Sequence, residues 1–149
     1  MTDNQLSYED LMHRCIALGL KAKERGDPPV GSVVAQNGRI ISEGTEGGRT
    51  HEDITFHAEI EAIRAARKIL KTSDLSGCLL VTTHEPCIMC SYVIRHHRIA
   101  KVIVALAIGE TGGISSHMPV LTDNGFSRWG KPPQIVMGVL AAECELLNV

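Results

Sequence analysis

A tight turn at Asn37-Gly38 joins two extended stretches within residues 30–44, and helical and extended stretches alternate from there to the end of the chain. Asn-Gly is the pair that a type I′ hairpin favours. Strands joined through a helix usually run parallel, so this order predicts an α/β fold with one sheet between layers of helices. Further strands are predicted at 79–83, 100–107 and 134–139, and helices at 57–70, 87–96 and 141–147.

The remaining segments predict one more helix and two loops. Ser7 is a typical N-cap residue with Asp10 three positions later, and apolar residues follow at helical spacing. Residues 45–56 are predicted to form a polar loop. Residues 109–133 are rich in Gly, Ser and Pro and are predicted to form a long loop, with one helical turn near 116–122.

The composition is that of an ordinary globular protein, with 44% hydrophobic and 21% charged residues. Residues 1–149 carry no linker or repeat and are interpreted as one domain. No apolar run approaches the roughly 20 residues that span a bilayer, and the polar N-terminus is unlike a signal peptide, so we expect a cytoplasmic protein. The formal net charge of −2 argues against a broad phosphate-binding surface but allows a local basic patch.

Five cysteines cannot all pair, and two of them, Cys87 and Cys90, form a Cys-x-x-Cys segment. In a reducing compartment this spacing indicates metal or redox chemistry more often than a structural disulfide. The other three fit apolar positions and are expected in the core: Cys15, Cys78 and Cys144.

His57, Cys87 and Cys90 are expected to bind one zinc ion, because a catalytic zinc site uses three such ligands and keeps a fourth position for water. Both ligand segments begin predicted helices, whose N-termini favour the thiolate form of cysteine. Glu59 follows His57 by two positions. A carboxylate beside the metal can take a proton from water and deliver it to a ring nitrogen and to a leaving amine, so Glu59 is the candidate proton shuttle.

The order His-x-Glu, then Pro-Cys-x-x-Cys, resembles the signature of the zinc-dependent cytidine-deaminase superfamily. The stretches "PPVGSVV", "TFHAEIEAIR", "THEPCIMC" and "GVLAAEC" are similar, in the same order, to segments of its subgroup of tRNA adenosine, guanine and cytosine deaminases. The resemblance covers about residues 7–147. It implies a three-layer α/β/α sandwich with a five-stranded mixed sheet, parallel last strands, one zinc ion per chain and a homodimer.

The Cys-x-x-Cys segment also allows two other interpretations. A structural zinc site normally closes with four Cys or His ligands, and no fourth ligand lies at the usual spacing. A thioredoxin-like redox pair leaves His57 and Glu59 without a role. A zinc-bound structural protein without catalysis is therefore the last of three functional alternatives.

Glu46 departs from the subgroup, whose members usually have at this position an Asn that hydrogen-bonds the base or sugar. Asn both donates and accepts hydrogen bonds, whereas an ionised Glu only accepts them. We therefore expect a substrate that presents N–H groups here, as a guanine- or aminotriazine-like ring would. Alternatively, Glu46 points into solvent, or Glu43 or Arg49 takes its place.

Five further residues are candidates for the substrate pocket. Phe56 either stacks on a flat ring or packs at the start of its helix, and His84 either lines the pocket entrance or points into solvent. The backbone at Ala58 and Glu85 is expected to frame the ring. Trp129 lies in a loop that either covers a small ligand or packs on a second copy of the chain.

Four basic residues, 95–98, end the helix predicted at 87–96. Positive charge at that position complements the helix dipole. Exposure to solvent is therefore expected for this segment, in preference to a contact with nucleic acid.

Lys and Arg are scarce after residue 108, where only Lys131 and Arg128 occur. A tRNA-editing enzyme needs cations to hold phosphates. The first expectation is thus a hydrolytic deaminase of a free nucleobase or a related small aminated heterocycle, which is guanine-, cytosine- or aminotriazine-like. The alternative is a tRNA-specific adenosine deaminase that makes inosine at the anticodon.

Overall fold

Five short stretches rich in β-branched residues pair into one mixed sheet in the computed structural model, which describes residues 5–149. Residues 1–4, on which the expectation of no signal peptide partly rests, lie outside the described part. The strands are β1 (Gly31–Gln36), β2 (Arg39–Thr45), β3 (Leu79–His84), β4 (Lys101–Leu106) and β5 (Gln134–Met137). Their order is β2-β1-β3-β4-β5; β1 is antiparallel to β2 and β3, and β3, β4 and β5 are parallel.

Helices cover both faces of this sheet. They are α1 (Tyr8–Glu24), α2 (Gly48–His51), α3 (Ala58–Leu70), α4 (Ile88–His96) and α5 (Ala141–Glu145), with 3-10 turns at Ser127–Trp129 and Leu146–Asn148. None of the helices described has both the length and the apolar character needed to cross a membrane.

Neighbouring residues of the central strands face opposite helical layers, as the two-residue period of a strand requires. Val34 and Leu80 belong to the core beneath α3 and α4. Val33 and Val81, one position away, belong to the core beneath α1 and α5. The predicted three-layer α/β/α sandwich with a five-stranded mixed sheet is confirmed.

Local signals also placed the first helix and the hairpin. Asn37 and Gly38 have φ angles of 54° and 73°, the left-handed conformation that a type I′ turn needs at both central positions. The side chain of Ser7 accepts a hydrogen bond from the backbone N–H of Asp10, and the Asp10 carboxylate accepts one from the N–H of Ser7. This reciprocal pair is a capping box and fixes the start of α1.

One of the two loop predictions differs from the structure, since the predicted polar loop at 45–56 contains α2. The turn predicted near 116–122 forms at 119–123, where the backbone N–H groups of Thr122 and Asp123 donate hydrogen bonds of 3.1 and 3.0 Å to the carbonyl oxygen of Pro119. Pro119 has no N–H to donate and so fits the first position of such a turn.

The expected exposure of residues 95–98 is wrong for Arg95 and His97, whose exposed fractions are 2% and 8%. Arg95 donates hydrogen bonds of 2.9 Å to the carbonyl oxygens of Val120 and Asp123 and so organises the loop before β5.

The three cysteines outside the Cys-x-x-Cys segment were expected in the core. Their burial is confirmed for Cys15, Cys78 and Cys144.

Asp27 fixes the short helix α2 from the loop that precedes β1. Its buried carboxylate accepts hydrogen bonds from the backbone N–H groups of Arg49 and Thr50, from the Thr50 hydroxyl and from the Arg25 guanidinium. The Thr50 hydroxyl, together with the other donors and against the effect of burial, holds the pKa of Asp27 below its ordinary value of 3.8. The ionised carboxylate is therefore the form that stabilises α2.

Replacing Asp27 by Asn is expected to lower the free energy of unfolding by about 1–3 kcal/mol at neutral pH, because buried donors lose a charged acceptor. Since the folded-state pKa is lowered, this stabilisation is present above about pH 4 and disappears as the pH falls through the folded pKa. Urea unfolding from pH 3 to 7 measures the difference. The exposed Asp123→Asn is the control, and an equal difference at both ends of the range contradicts the assignment.

Candidate active site

Two helix N-termini meet on one face of the sheet and bring three potential metal ligands together. His57 is the N-cap residue of α3, Cys87 is the N-cap residue of α4, and Cys90 lies in the first turn of α4. A side chain at Gly44 would come within 2.1 Å of the carbonyl oxygen of Ala58, so this glycine lets α3 begin directly against β2.

The three side chains fit a zinc ion. Nδ1 of His57 lies 3.6 Å from Sγ of Cys87 and 3.4 Å from Sγ of Cys90. Nitrogen and sulfur ligands of a tetrahedral zinc ion are about 3.6 Å apart, given the usual bond lengths. One imidazole and two thiolates leave a fourth position open. Among residues 5–149 no second group of three or more such ligand atoms lies this close together.

One of the three side chains carries a negative charge that favours a cation, and the other two hold protons that a bound metal ion displaces. A hydrogen bond from the Cys90 thiol, and another from the His57 ring, lower the pKa of Cys87 to about 4 despite its burial. The contact with the Cys87 thiolate, together with burial, raises the pKa of Cys90, and the same thiolate raises the pKa of His57 to about 9. Cys87 is therefore a thiolate at neutral pH, which is the form that coordinates metals.

Glu59 lies in the first turn of α3, beside the ligand group and not within it. Its exposed fraction is 3%, and a hydrogen bond from its own backbone N–H acts on its carboxyl group. Burial, together with the negative charge of Cys87, raises the pKa of Glu59 to about 8. A carboxyl group whose pKa is near neutrality is suited to both accepting and donating protons.

A cavity of about 140 Å³ opens beside these residues. It is smaller than the roughly 300–1,000 Å³ of pockets that hold drug-sized ligands, and so suits one small ring system. Val30 and Ile108 form apolar parts of its wall. The cavity brings together six of the residues predicted from the sequence: Glu46, His57, Glu59, His84, Glu85 and Cys87.

Comparison with known proteins agrees with this geometry. The family described as "Cytidine and deoxycytidylate deaminase zinc-binding region" matches residues 6–106, which include both ligand segments. The chain belongs to this family. It is therefore a zinc-dependent deaminase, a hydrolase that acts on carbon–nitrogen bonds.

Relatives with different substrates resemble this deaminase. The tRNA-specific adenosine deaminase of Aquifex aeolicus is 41% identical over 69% of this chain and 68% of its own length. The guanine deaminase of Bacillus subtilis is 38% identical over 57% of this chain, and the match spans only 55% of that relative. Two Deinococcus relatives named tRNA(Ile)-lysidine synthase are longer, and the chain spans about a quarter of each.

A solved structure from a study of A-to-I editing by tRNA:A34 deaminases has the same fold. It superposes with a TM-score of 0.85 at 28% identity and covers 92% of this chain and 97% of its own. The fold and the class of chemistry are thus common to relatives that act on tRNA and on guanine.

Glu46 of the deaminase points into the cavity rather than into solvent. Only 7% of the residue is exposed. Oε2 accepts a 2.8 Å hydrogen bond from the N–H of Gly48, at the start of α2, while Oε1 has no hydrogen-bond partner among residues 5–149. Neither proposed replacement lines the cavity: Glu43 pairs with Arg14, and Arg49 is exposed.

His84 also lines the cavity and is held at both ring nitrogens. Nδ1 lies 2.8 Å from the Thr83 hydroxyl, and Nε2 lies 3.0 Å from Oδ1 of Asn148. The C-terminal 3-10 turn is therefore attached directly to the pocket. Nothing in the sequence near Asn148 indicated this contact, because it joins residues 64 positions apart.

Phe56 and Trp129 lie outside the cavity lining. The Phe56 ring stacks on His51 with ring centres 4.0 Å apart, so Phe56 packs at the helix start, as one of the two interpretations predicted. The Trp129 ring packs edge-on against Tyr92 at 4.8 Å. Ala58 is fully buried at the start of α3.

The sequence did not indicate Val30 or Ile108. Ile108 follows the carboxyl end of β4, and ligands of open α/β sheets bind beyond the carboxyl ends of parallel strands. That rule, applied to the predicted strand at 100–107, would have pointed to Ile108. Val30 precedes the antiparallel β1 and has no comparable signal.

We expect about one zinc ion per chain, and its loss in Cys90→Ser. A serine hydroxyl is a poor substitute for a thiolate, since soft sulfur ligands select zinc. Elemental analysis of purified protein measures the ratio of zinc to chain. Cys78→Ser changes a buried cysteine that lies outside the ligand group and should retain zinc. Full zinc content in Cys90→Ser would remove Cys90 from the ligand set.

Proposed function

We propose that this deaminase hydrolyses an exocyclic amine of a free, N–H-rich heterocycle, guanine-like or aminotriazine-like, and releases ammonia. The observation that carries this proposal is the buried Glu46 carboxylate, which has one oxygen without a partner at the cavity. The homodimer and the cytoplasmic location stay predictions.

In the proposed reaction, His57, Cys87 and Cys90 hold zinc, which supplies a Lewis acid that makes hydroxide available from water near neutral pH. Glu59 accepts a proton from the attacking water and delivers it to the ring nitrogen next to the reacting carbon. It then transfers the proton of the added hydroxyl to the amine. The carbon–nitrogen bond breaks, ammonia leaves, and a ring carbonyl remains.

Glu46 is proposed to select the ring by its hydrogen-bonding edge. An ionised carboxylate only accepts hydrogen bonds, so a carbonyl or an unprotonated ring nitrogen facing it is repelled. Free guanine has ring N–H groups in addition to the amine that is removed. Aminotriazines also present N–H groups on an edge of the ring. Such a ring satisfies Oε1 of Glu46 while its reacting carbon faces Glu59.

Adenine within a polynucleotide is a poorer hydrogen-bond partner for the Glu46 carboxylate. Its N–H groups are those of the exocyclic amine, and its other edge atoms, such as N7 and N3, are acceptors. Because that amine is the group to be removed, no second N–H group is left for Glu46. The cavity lining also includes no Lys or Arg among residues 5–149, so no cation contacts a phosphate there.

The second candidate is deamination of adenosine in tRNA. It is favoured by the 41% identity to the A. aeolicus relative. It is also favoured by four cations on the second half of α3 and at its C-cap, which line a groove of about 460 Å³: Arg64, Arg67, Lys68 and Lys71. Phosphate binding requires such cations.

Glu59→Gln is expected to lower kcat by about 10²–10⁴-fold, the usual range for loss of a general acid–base group, while zinc content stays at the wild-type level. Ammonia release and elemental analysis measure the two quantities. Glu61→Gln, on the same helix but paired with Arg64, is the control. Loss of zinc in Glu59→Gln would instead make Glu59 a ligand.

Glu46→Gln is expected to lower kcat/KM for the preferred free base at least tenfold, because a hydrogen bond to a charged group contributes about 1.5–3 kcal/mol. Ammonia release is measured with guanine, cytosine, adenine, their nucleosides and aminotriazines, and inosine is measured in treated tRNA. Glu43→Gln is the control. Inosine formation without turnover of any free base, or an unchanged kcat/KM in Glu46→Gln, would contradict the proposal.

A further inference from the structure

The carboxylate of Glu85 is fully engaged by a distant segment. Only 2% of the residue is exposed. Oε1 accepts hydrogen bonds from the N–H of Ile108 at 3.0 Å and from the hydroxyl of Ser115 at 2.6 Å. Oε2 accepts from the N–H groups of Ile114 and Ser115 at 2.7 and 2.8 Å. A carboxylate offers about four acceptor positions, so none is left for a substrate or a proton in transit.

These bonds join residues 85–90, which we call the cysteine turn, to residues 108–115, which we call the 108–115 loop. Two backbone hydrogen bonds reinforce the junction, from Ile88 N–H to the Thr111 carbonyl at 2.9 Å and from Gly113 N–H to the Pro86 carbonyl at 2.8 Å. Residues 87 and 112 also form an isolated antiparallel bridge.

The loop backbone approaches its neighbours too closely for a side chain at either of its two adjacent glycines. A Cβ atom at Gly112 would lie 2.0 Å from Oε2 of Glu85, and one at Gly113 would lie 1.8 Å from Oγ of Ser91. Gly112 therefore lets the loop backbone reach the carboxylate, and Gly113 lets it pass close to the Ser91 side chain. The close backbone contacts thus explain why two glycines stand next to each other here.

The junction bears on the active site at two points. Ile108, at one end of the loop, forms part of the cavity wall. Cys87, two residues after Glu85, contributes its Sγ to the ligand group. The carboxylate is thus hydrogen-bonded to a residue of the apolar wall and lies two positions before a thiolate ligand.

We propose that Glu85 is a positioning residue of this deaminase, whose carboxylate holds the 108–115 loop against the cysteine turn and thereby orients the Cys87 thiolate and the Ile108 wall. Its side chain is not a substrate contact or a proton carrier. The inference rests on the proposed zinc ligands and is independent of which ring is the substrate.

The test uses the full-length protein loaded with zinc, and a second sample loaded with Co²⁺. Glu85→Gln keeps the size of the side chain but replaces one acceptor oxygen by a donor, which opposes the N–H groups of the loop. The matched control is Glu110→Gln, an exposed glutamate within the same loop. Wild-type protein must first bind zinc and give the thiolate-to-cobalt absorption band, which tests the ligand proposal separately.

Three readouts are expected to change in Glu85→Gln and not in Glu110→Gln. Zinc release to a chromogenic chelator accelerates about tenfold or more, the usual scale for residues that support metal ligands. Backbone amides of the 108–115 loop exchange with deuterium about tenfold faster. The cobalt band shifts, because the Cys87 sulfur changes its geometry.

Faster amide exchange with unchanged zinc release and an unchanged cobalt band would overturn the proposal, since Glu85 would then only hold a loop. No change in any readout would overturn it as well. If Glu85→Gln does not fold, Ser115→Ala carries the test, because it removes one of the four hydrogen bonds and leaves the carboxylate. Zinc release and amide exchange should then rise about two- to threefold, and wild-type values of zinc release would overturn the proposal.

Discussion

The side-by-side packing of α3 and α4 on one face of the sheet is the constraint on which the site depends. The helix α4 follows β3, whereas α3 follows the short helix α2, and the N-cap residues of both, His57 and Cys87, lie at the same point of the sheet. Helix N-termini carry partial positive charge and unpaired N–H groups. The Cys87 sulfur accepts such a group, the N–H of Cys90, which helps to keep it ionised before any metal is considered.

The sequence predicted the fold and the metal ligands because both depend on local signals. The Asn37-Gly38 turn needs only its two residues, and the cysteine turn begins a helix by its own spacing. The roles of Asn148 and Glu85 were beyond such reasoning, since their partners lie 64 and 23–30 residues away. The burial of Arg95 was unpredictable for the same reason: a cation at a helix end is usually solvated, but four carbonyl oxygens of a distant loop surround this one.

The site is also built from buried carboxylates with different tasks, set by their surroundings. Glu85 is saturated with donors, which lower its pKa although burial alone would raise it. Glu59 has no donor among the described side chains, and burial raises its pKa to about 8. The two glutamates of this cavity therefore have different tasks: Glu85 stays ionised and anchors a loop, whereas Glu59 can exchange protons. Their surroundings, and not their residue type, set this difference.

Glu46 has one bonded and one free carboxylate oxygen, and this bears on specificity. One oxygen is anchored by Gly48, whose helix is itself held by Asp27, so the carboxylate cannot turn away without disturbing α2. Closing a ring over the cavity removes water from the free oxygen. A ring with a facing N–H replaces that water, whereas a ring without one leaves one oxygen of the buried carboxylate without a donor, which costs at least about 1–3 kcal/mol. The selection proposed for this position would therefore work mainly by rejecting rings that present only acceptors.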